Sequence, residues 1–295
     1  MKMKHPFTRR AISAIAASLL ILGACGGSSD STDTTAAPAE QLRIVSLSPT
    51  ATEMLYAIGA GDQVVAVDSL STYPAEVSGK VTKISAYEPS AEAILGYTPD
   101  VVLISNDMNK ITEQLTTANK DIQVWTGAAA TTIDDVYKQI NELGELTGQT
   151  DEATELVTSM KDRISKATSS ATPQTESKYY YELDNTYYSV TSNTFVGALL
   201  KPFGMTNIAD GVEAGNDYPQ LNAEAIAKAN PSVIFLADTK CCAVTKDVVS
   251  KRPGWSGIDA VKNGHIVELD DDIASRWGPR VVDLVEQIAA AVAAL

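Results

Sequence analysis

Tyr87-Glu-Pro-Ser-Ala-Glu92-Ala-Ile94, continued by Leu-Gly-Tyr-Thr-Pro99-Asp-Val-Val-Leu-Ile104, is the stretch whose reading decides the fold, because it occurs twice. The second copy runs Tyr218-Pro-Gln-Leu-Asn-Ala-Glu224-Ala-Ile226, then Ala-Lys-Ala-Asn-Pro231-Ser-Val-Ile-Phe-Leu236, with the same interval from Glu to Pro. Each copy reads as a tyrosine-bearing loop, a short helix, a proline stop and a buried strand. Ser90 and Asn222 are placed to cap the two helices, which puts Glu92 and Glu224 in the first turn. Pro99 and Pro231 cannot continue a helix, and the apolar runs behind them suit strands covered on both faces. The plain role of each glutamate is to complement the helix dipole, worth about 0.3–1 kcal/mol. The repetition adds a second role, since it sets one tyrosine and one acid at matching places in two similar, facing lobes.

Outward from the repeat, strands alternate with helices in both halves, the signature of parallel sheets with helices on both faces. Arg43–Leu47 and Val64–Val67 are strands, separated by a helix around Glu53–Ile58 that Gly59 and Gly61 stop. Val101–Ser105 follows the first repeat, then a polar-faced helix around Lys110–Asn119 and a strand Ile122–Trp125. From Ile133 the apolar spacing is helical, and it resumes after Gly144 and Gly148 through Leu156, Met160 and Ile164. One long helix, kinked at the glycines, is expected to carry the chain between lobes. The second lobe opens with strand Lys178–Leu183 and a tyrosine- and serine-rich loop. A helix Phe195–Phe203 then stops at Gly204, and the strand His265–Leu269 follows the second repeat. Asp270–Pro279 reads as a loop and Arg280–Leu295 as an amphipathic closing helix.

The N-terminus is a processing segment. Lys2, Lys4, Arg9 and Arg10 precede an apolar run, Ala11–Ala24, too short to span a membrane comfortably. It ends Leu22-Gly23-Ala24-Cys25, which looks like a bacterial lipobox, the signal for cleavage before Cys25 and lipidation of its thiol. Gly26 to about Glu40 is rich in Gly, Ser, Thr, Asp and Ala and reads as a tether. The expected organisation is a signal peptide over 1–24, a tether over 25–40, an N-terminal lobe over 41–130, a linking helical region over 131–170 and a C-terminal lobe over 171–295.

Composition narrows the function. The formal charge is −14, and losing the basic leader makes the mature chain more acidic still, which argues against nucleic acid as a partner. Apart from His5 in the leader, His265 is the sole histidine, and it stands where a turn enters a strand. No GxSxG, GxxxxGK[ST], HExxH or CxxC occurs, so hydrolase triads, phosphate loops, zinc sites and bis-histidyl haem ligation are disfavoured. No catalytic residue, resident metal or cofactor is expected. Cys241 and Cys242 are adjacent and are either a vicinal disulfide or two thiols. What remains is a set of aromatic and polar residues on strand-exit loops, the edge where open parallel sheets bind ligands. They are Ser48, Thr50, Tyr73, Tyr87, Tyr188, Tyr218, Asp272, Arg276 and Trp277. Any one alone is ordinary loop decoration; their recurrence at one edge of both lobes points to a cleft.

At these residues the chain resembles the substrate-binding lipoproteins of ABC importers for cobalamin and ferric siderophores. The resemblance covers Arg43 to the C-terminus. It is carried by Arg43-Ile-Val-Ser-Leu-Ser-Pro-Thr50, Tyr73-Pro74, both repeats, Arg252-Pro-Gly-Trp255, Ala260-Val-Lys-Asn-Gly264 and Arg276-Trp-Gly-Pro-Arg280. It implies an α/β fold of two Rossmann-like lobes with parallel sheets, joined by a single long helix, with the ligand cleft between them. It also implies that Glu92 and Glu224 dock on arginines of a dimeric permease. In cobalamin binders of this kind aromatics from both lobes pack on the corrinoid. Tyr87 and Tyr218 fall where such binders can carry tryptophan, and Asp272 and Arg276 fall at cleft positions. Leu70 and Ser105 depart from the pattern, standing where cobalamin binders can be aromatic. A corrinoid captured outside the cytoplasm and handed to a permease is the expected function, with a ferric siderophore the alternative. An enzyme, or an adhesin that binds no small molecule, is the reading of the other classes.

Overall fold

The computed structural model describes residues 41–295, so the leader, Cys25 and the tether lie outside the described residues. The first half contains β1 (Ile44–Leu47), α1 (Pro49–Ala57), β2 (Val64–Val67), α2 (Ala91–Leu95), β3 (Val101–Ile104), α3 (Ile111–Ala118) and β4 (Gln123–Thr126). Two helices follow, α4 (Ile133–Thr147) and α5 (Thr150–Ser170). The second half contains β5 (Lys178–Glu182), α6 (Phe195–Leu200), β6 (Thr206–Asn207), α7 (Ala223–Ala229), β7 (Val233–Leu236) and α8 (Lys246–Ser250). It closes with α9 (Asp259–Asn263), β8 (Ile266–Glu268), α10 (Asp271–Ala274) and α11 (Val281–Ala293).

Two four-stranded sheets result, ordered β2-β1-β3-β4 and β6-β5-β7-β8, and every pairing is parallel. The orders correspond strand for strand, so the sequence repeat is a repeat of architecture. β3 and β7 are the central strands behind the two copies, and all four residues of each are buried. That is why both read as unbroken apolar runs, since helices cover both faces of a parallel sheet. The Ser90 side chain accepts from the Ala93 N–H and the Asn222 side chain from the Ala225 N–H, so both helices start where the caps predict.

Two expectations are corrected. The helical run after Ile133 is two helices, because Gly148 adopts φ 74° and ends α4 with a left-handed cap. Gly144, the other candidate break, lies inside α4, where an added Cβ would sit 2.5 Å from Cβ of Ala153 on α5. Its role is close approach of the two helices. α5 is therefore the connecting helix, with α11 packed on it. The second correction concerns Asp270–Pro279, which holds α10, started by the Asp270 carboxylate accepting from the N–H groups of Asp272 and Ile273.

The lobes do not have independent cores. One cluster of buried apolar side chains runs from Ile44 and Leu103 of the first sheet through Met160 of α5 and Val285 of α11 to Tyr181 and Phe235 of the second. Trp255 is fully buried in a separate second-lobe cluster with Tyr180 and Ile234. No described helix is long and apolar enough to cross a membrane.

Candidate functional site

β1, β2 and β3 all end at one edge of the first sheet, and a cavity of about 400 Å³ opens there. Thr50 enters its wall from the exit of β1, Asp68 and Leu70 from β2, Ser105 from β3 and Tyr87 from the loop before α2. The opposite wall is Ser275-Arg276-Trp277, a segment that follows the second sheet and crosses to the first lobe. The cavity thus sits at the carboxyl edge of a parallel sheet, the position from which such sheets bind ligands.

Arg276 organises this wall. Its Nη1 donates to Oε1 of Glu53 at 3.0 Å, and its Nη2 to Oδ1 of Asp272 at 2.7 Å and to the Leu70 carbonyl at 3.4 Å. Asp272 also accepts from Lys240 Nζ at 2.9 Å. Beside it, Arg280 donates to both oxygens of Glu53 and lies 3.9 Å over the ring of Tyr73. Glu53 belongs to α1 and is only 3% exposed, so a buried carboxylate of the first lobe holds two arginines of the second. Trp277 is anchored in the same way, its indole N–H donating to Gln139 of α4 at 3.2 Å.

The structure brings Thr50, Tyr87, Arg276 and Trp277 to the cavity wall. Asp272 stands one step back, behind Arg276. Ser48 is buried as the cap of α1, accepting from the Ala51 N–H at 3.2 Å and from the Ser105 hydroxyl at 2.9 Å. Tyr73 turns toward a separate groove of about 250 Å³ beside Leu156 and Met160 of α5. Tyr188 and Tyr218 lie on adjoining second-lobe loops, tied by the bridge between Tyr188 and Gln220. Among the described aromatic residues the exposed ones are Tyr73, Tyr87, Tyr188 and Tyr218, the four singled out by their loops. Glu92 and Glu224 are exposed on the first turns of α2 and α7, and neither forms an ion pair among the described residues.

Three residues escaped the sequence reading: Glu53, Asp68 and Arg280. Glu53 had one local signal, a charge at the start of the apolar run Met54-Leu55. Asp68 is fully buried on the cavity wall, and burial raises its carboxyl above the usual range, an effect that Ser71 and Arg276 oppose. Cys241 and Cys242 are free thiols on the loop after β7. Among the described residues no group of three or more His, Cys, Asp or Glu is placed to hold a metal ion.

Comparison with known proteins places this geometry. The family model for periplasmic binding proteins matches residues 44–273. An uncharacterized ABC transporter substrate-binding lipoprotein of Bacillus subtilis, YvrC, is 34% identical over 260 residues, covering 86% of this chain and 80% of the relative. A cobalamin-binding protein of Halobacterium salinarum is 31% identical over 259 residues, covering 85% of this chain and 69% of the relative. Among solved structures, one from Staphylococcus epidermidis described as a possible iron-binding (periplasmic solute-binding) protein superposes with a TM-score of 0.70 at 27% identity, covering 85% of this chain and 98% of that one.

Proposed function

Since this chain belongs to the periplasmic binding protein family, we propose that it is the extracytoplasmic substrate-binding lipoprotein of an ABC importer, anchored through Cys25, which captures a corrinoid and delivers it to a permease dimer. The observation that carries the ligand is the distribution of aromatic surface. A corrinoid is far larger than a cavity of about 400 Å³, so the cavity takes one edge of it. Tyr87 and Trp277 line the cavity, and in this reading the exposed rings of Tyr188 and Tyr218 on the second-lobe loops meet the remainder. The relative named as cobalamin-binding supports the same class.

A ferric siderophore is the second reading, supported by the Staphylococcus structure described as iron-binding. Electrostatics weigh against it. Arg276, the basic group on the cavity wall, is already paired with Glu53 and Asp272, and a chain of net charge −14 gives an anionic chelate little to approach.

A thermal-shift panel of cobalamin, ferric siderophores and haem separates these readings. A ligand at a hundred times its Kd stabilises the native state by about 2.7 kcal/mol. For a domain of this size that raises Tm by roughly 5–10 °C. The rise is expected with cobalamin, recovered unchanged afterwards. A rise with the siderophore alone would reverse the assignment, and steady conversion of ligand to product would make the protein an enzyme.

Glu92 and Glu224 supply the contact with the permease in this reading. Matched acids on matched helices can grip a two-subunit partner at two points, and engaging both gains from effective concentration where one exposed pair is weak, at about 0–1 kcal/mol. Glu92→Arg or Glu224→Arg is expected to leave ligand affinity unchanged and to impair uptake. Normal uptake in both variants would show the two acids to be helix-dipole partners only.

A further inference from the structure

Asp68 is the feature of the cavity that the folded chain leaves unfinished. It stands at the exit of β2, has no exposure to solvent, and forms part of the wall beside Leu70 and Arg276. Its Oδ1 accepts from the Ser71 hydroxyl at 2.5 Å, and that hydroxyl in turn meets Thr52 Oγ1 at 3.1 Å. Its Oδ2 has no hydrogen-bond partner of good geometry among the described residues, although the backbone N–H groups of Leu70 and Ser71 lie near enough to the carboxyl to favour its charged form. Buried acceptors are satisfied in the great majority of cases, so an orphan on a cavity wall needs a cause. The nearby cation does not supply a partner. Arg276 commits three of its five N–H groups to Glu53, Asp272 and the Leu70 carbonyl, and none of the three reaches Asp68.

We propose that Asp68 is a specificity-determining residue whose Oδ2 accepts a hydrogen bond from an uncharged N–H donor of the ligand, a primary carboxamide inserted to the cavity floor. The proposal rests on the corrinoid reading and sharpens it. The rim of a corrinoid carries several primary carboxamides, and hydrolysis turns any one of them into a carboxylate of nearly the same shape. A carboxamide brings the donor that Oδ2 lacks. A carboxylate brings a second acceptor and a second negative charge to a wall whose Arg276 is already paired with Glu53 and Asp272, so it meets repulsion and an unmet acceptor together. Discrimination of this kind is stronger than a hydrophobic pocket achieves, because the penalty comes from buried polar groups left unpaired. Asp68 accordingly selects the amidated ligand against its acid form.

The test is titration calorimetry of the full folded chain at pH 7.5 with cobalamin and a panel of its rim monocarboxylic acids. Wild type is expected to bind at least one monoacid tenfold or more weakly than cobalamin. Asp68→Asn keeps the shape and presents an N–H₂ group, so it should bring that ratio to within about threefold of one. Tyr87→Ala, which alters ring contact and leaves the acid in place, should weaken cobalamin and monoacids alike and preserve the ratio. Wild type binding all monoacids as tightly as cobalamin overturns the proposal without any variant, as does an unchanged ratio in folded Asp68→Asn. Failure of wild type to bind any corrinoid overturns the ligand reading itself, and this proposal with it.

Discussion

Glu53→Ala is expected to lower stability by about 3–5 kcal/mol, the usual consequence of removing one partner from a buried ion pair. That corresponds to a fall in Tm of roughly 6–20 °C. The carboxylate is 3% exposed and takes three hydrogen bonds, from Arg276 Nη1 and from Arg280 Nε and Nη2. Without it two guanidinium groups, with side chains 14% and 17% exposed, face each other across the space it leaves. The Glu53 hydrogen bonds are also the chief cause that holds the Arg280 pKa above its ordinary value, so pairing rather than solvent carries that charge. Because Glu53 lies on α1 and both arginines follow the second sheet, the loss falls on the joint between lobes. Affinity for the proposed corrinoid should fall as well, although Glu53 is not on the cavity wall, since Arg276 loses one of the groups that aim it. Glu53→Gln keeps the shape and some of the hydrogen bonds and should lie between. Thermal melts and calorimetric titrations of the same three proteins check this; a loss under about 1 kcal/mol with unchanged affinity would show that the lobes are held by α5 and α11 alone.

The contrast between Glu53 and Glu92 explains how much of this molecule could be read in the chain. Glu92 and Glu224 were legible because a repeat gives two copies of one local pattern, and local patterns set caps, proline stops and buried strands. The matching sheet orders follow from that repetition. The four exposed tyrosines were legible because each stands on a loop outside the apolar runs that build the core. Glu53 sits 223 residues from Arg276, and within its own helix a charge reads as a solvated face; only the fold supplies its partners. Asp68 has the same history, since burial of a loop acid is decided by what closes over it. Ser48 shows the reverse error. Its place beside Pro49 at a strand exit fits a ligand contact and a helix cap equally, and the hydroxyl serves as the cap. The break at Gly148 rather than Gly144 was equally hidden, because it turns on which glycine meets a neighbouring helix at close range.

A second buried group of charges lies within the second lobe, and Arg252→Ala is expected to cost about 3–5 kcal/mol there. Both oxygens of Glu182 accept from the Arg252 guanidinium, at 2.5 and 2.6 Å, with side chains 0% and 11% exposed. The same guanidinium packs over Trp255 at 4.7 Å and Tyr187 at 5.2 Å, contacts that alanine also removes. Beside Glu182 stands Asp238, fully buried, with neither oxygen accepting a hydrogen bond among the described residues and Glu182 within reach of its protonated form. Burial first, then the charge of Glu182, raises the Asp238 carboxyl to about 7, while Arg252 pulls it down. In the unfolded chain Asp238 ionises near 3.8, so between that pH and about 7 the folded state keeps a proton that the unfolded state has released. The unfolded state binds fewer protons across this window, and stability therefore falls as pH rises through it and levels off above about 7. Asp238→Asn carries no such proton. It should match or exceed wild type at pH 8 and show a smaller decline between pH 4.5 and 8. Arg252→Ala should be least stable at the alkaline end, where two carboxylates share one dry site with no cation to separate them. Melting curves of wild type and both variants at pH 4.5, 6 and 8 decide it. Parallel pH profiles in wild type and Asp238→Asn would mean that Asp238 is ionised in the folded protein throughout, with a partner found by some rearrangement of the loop after β7.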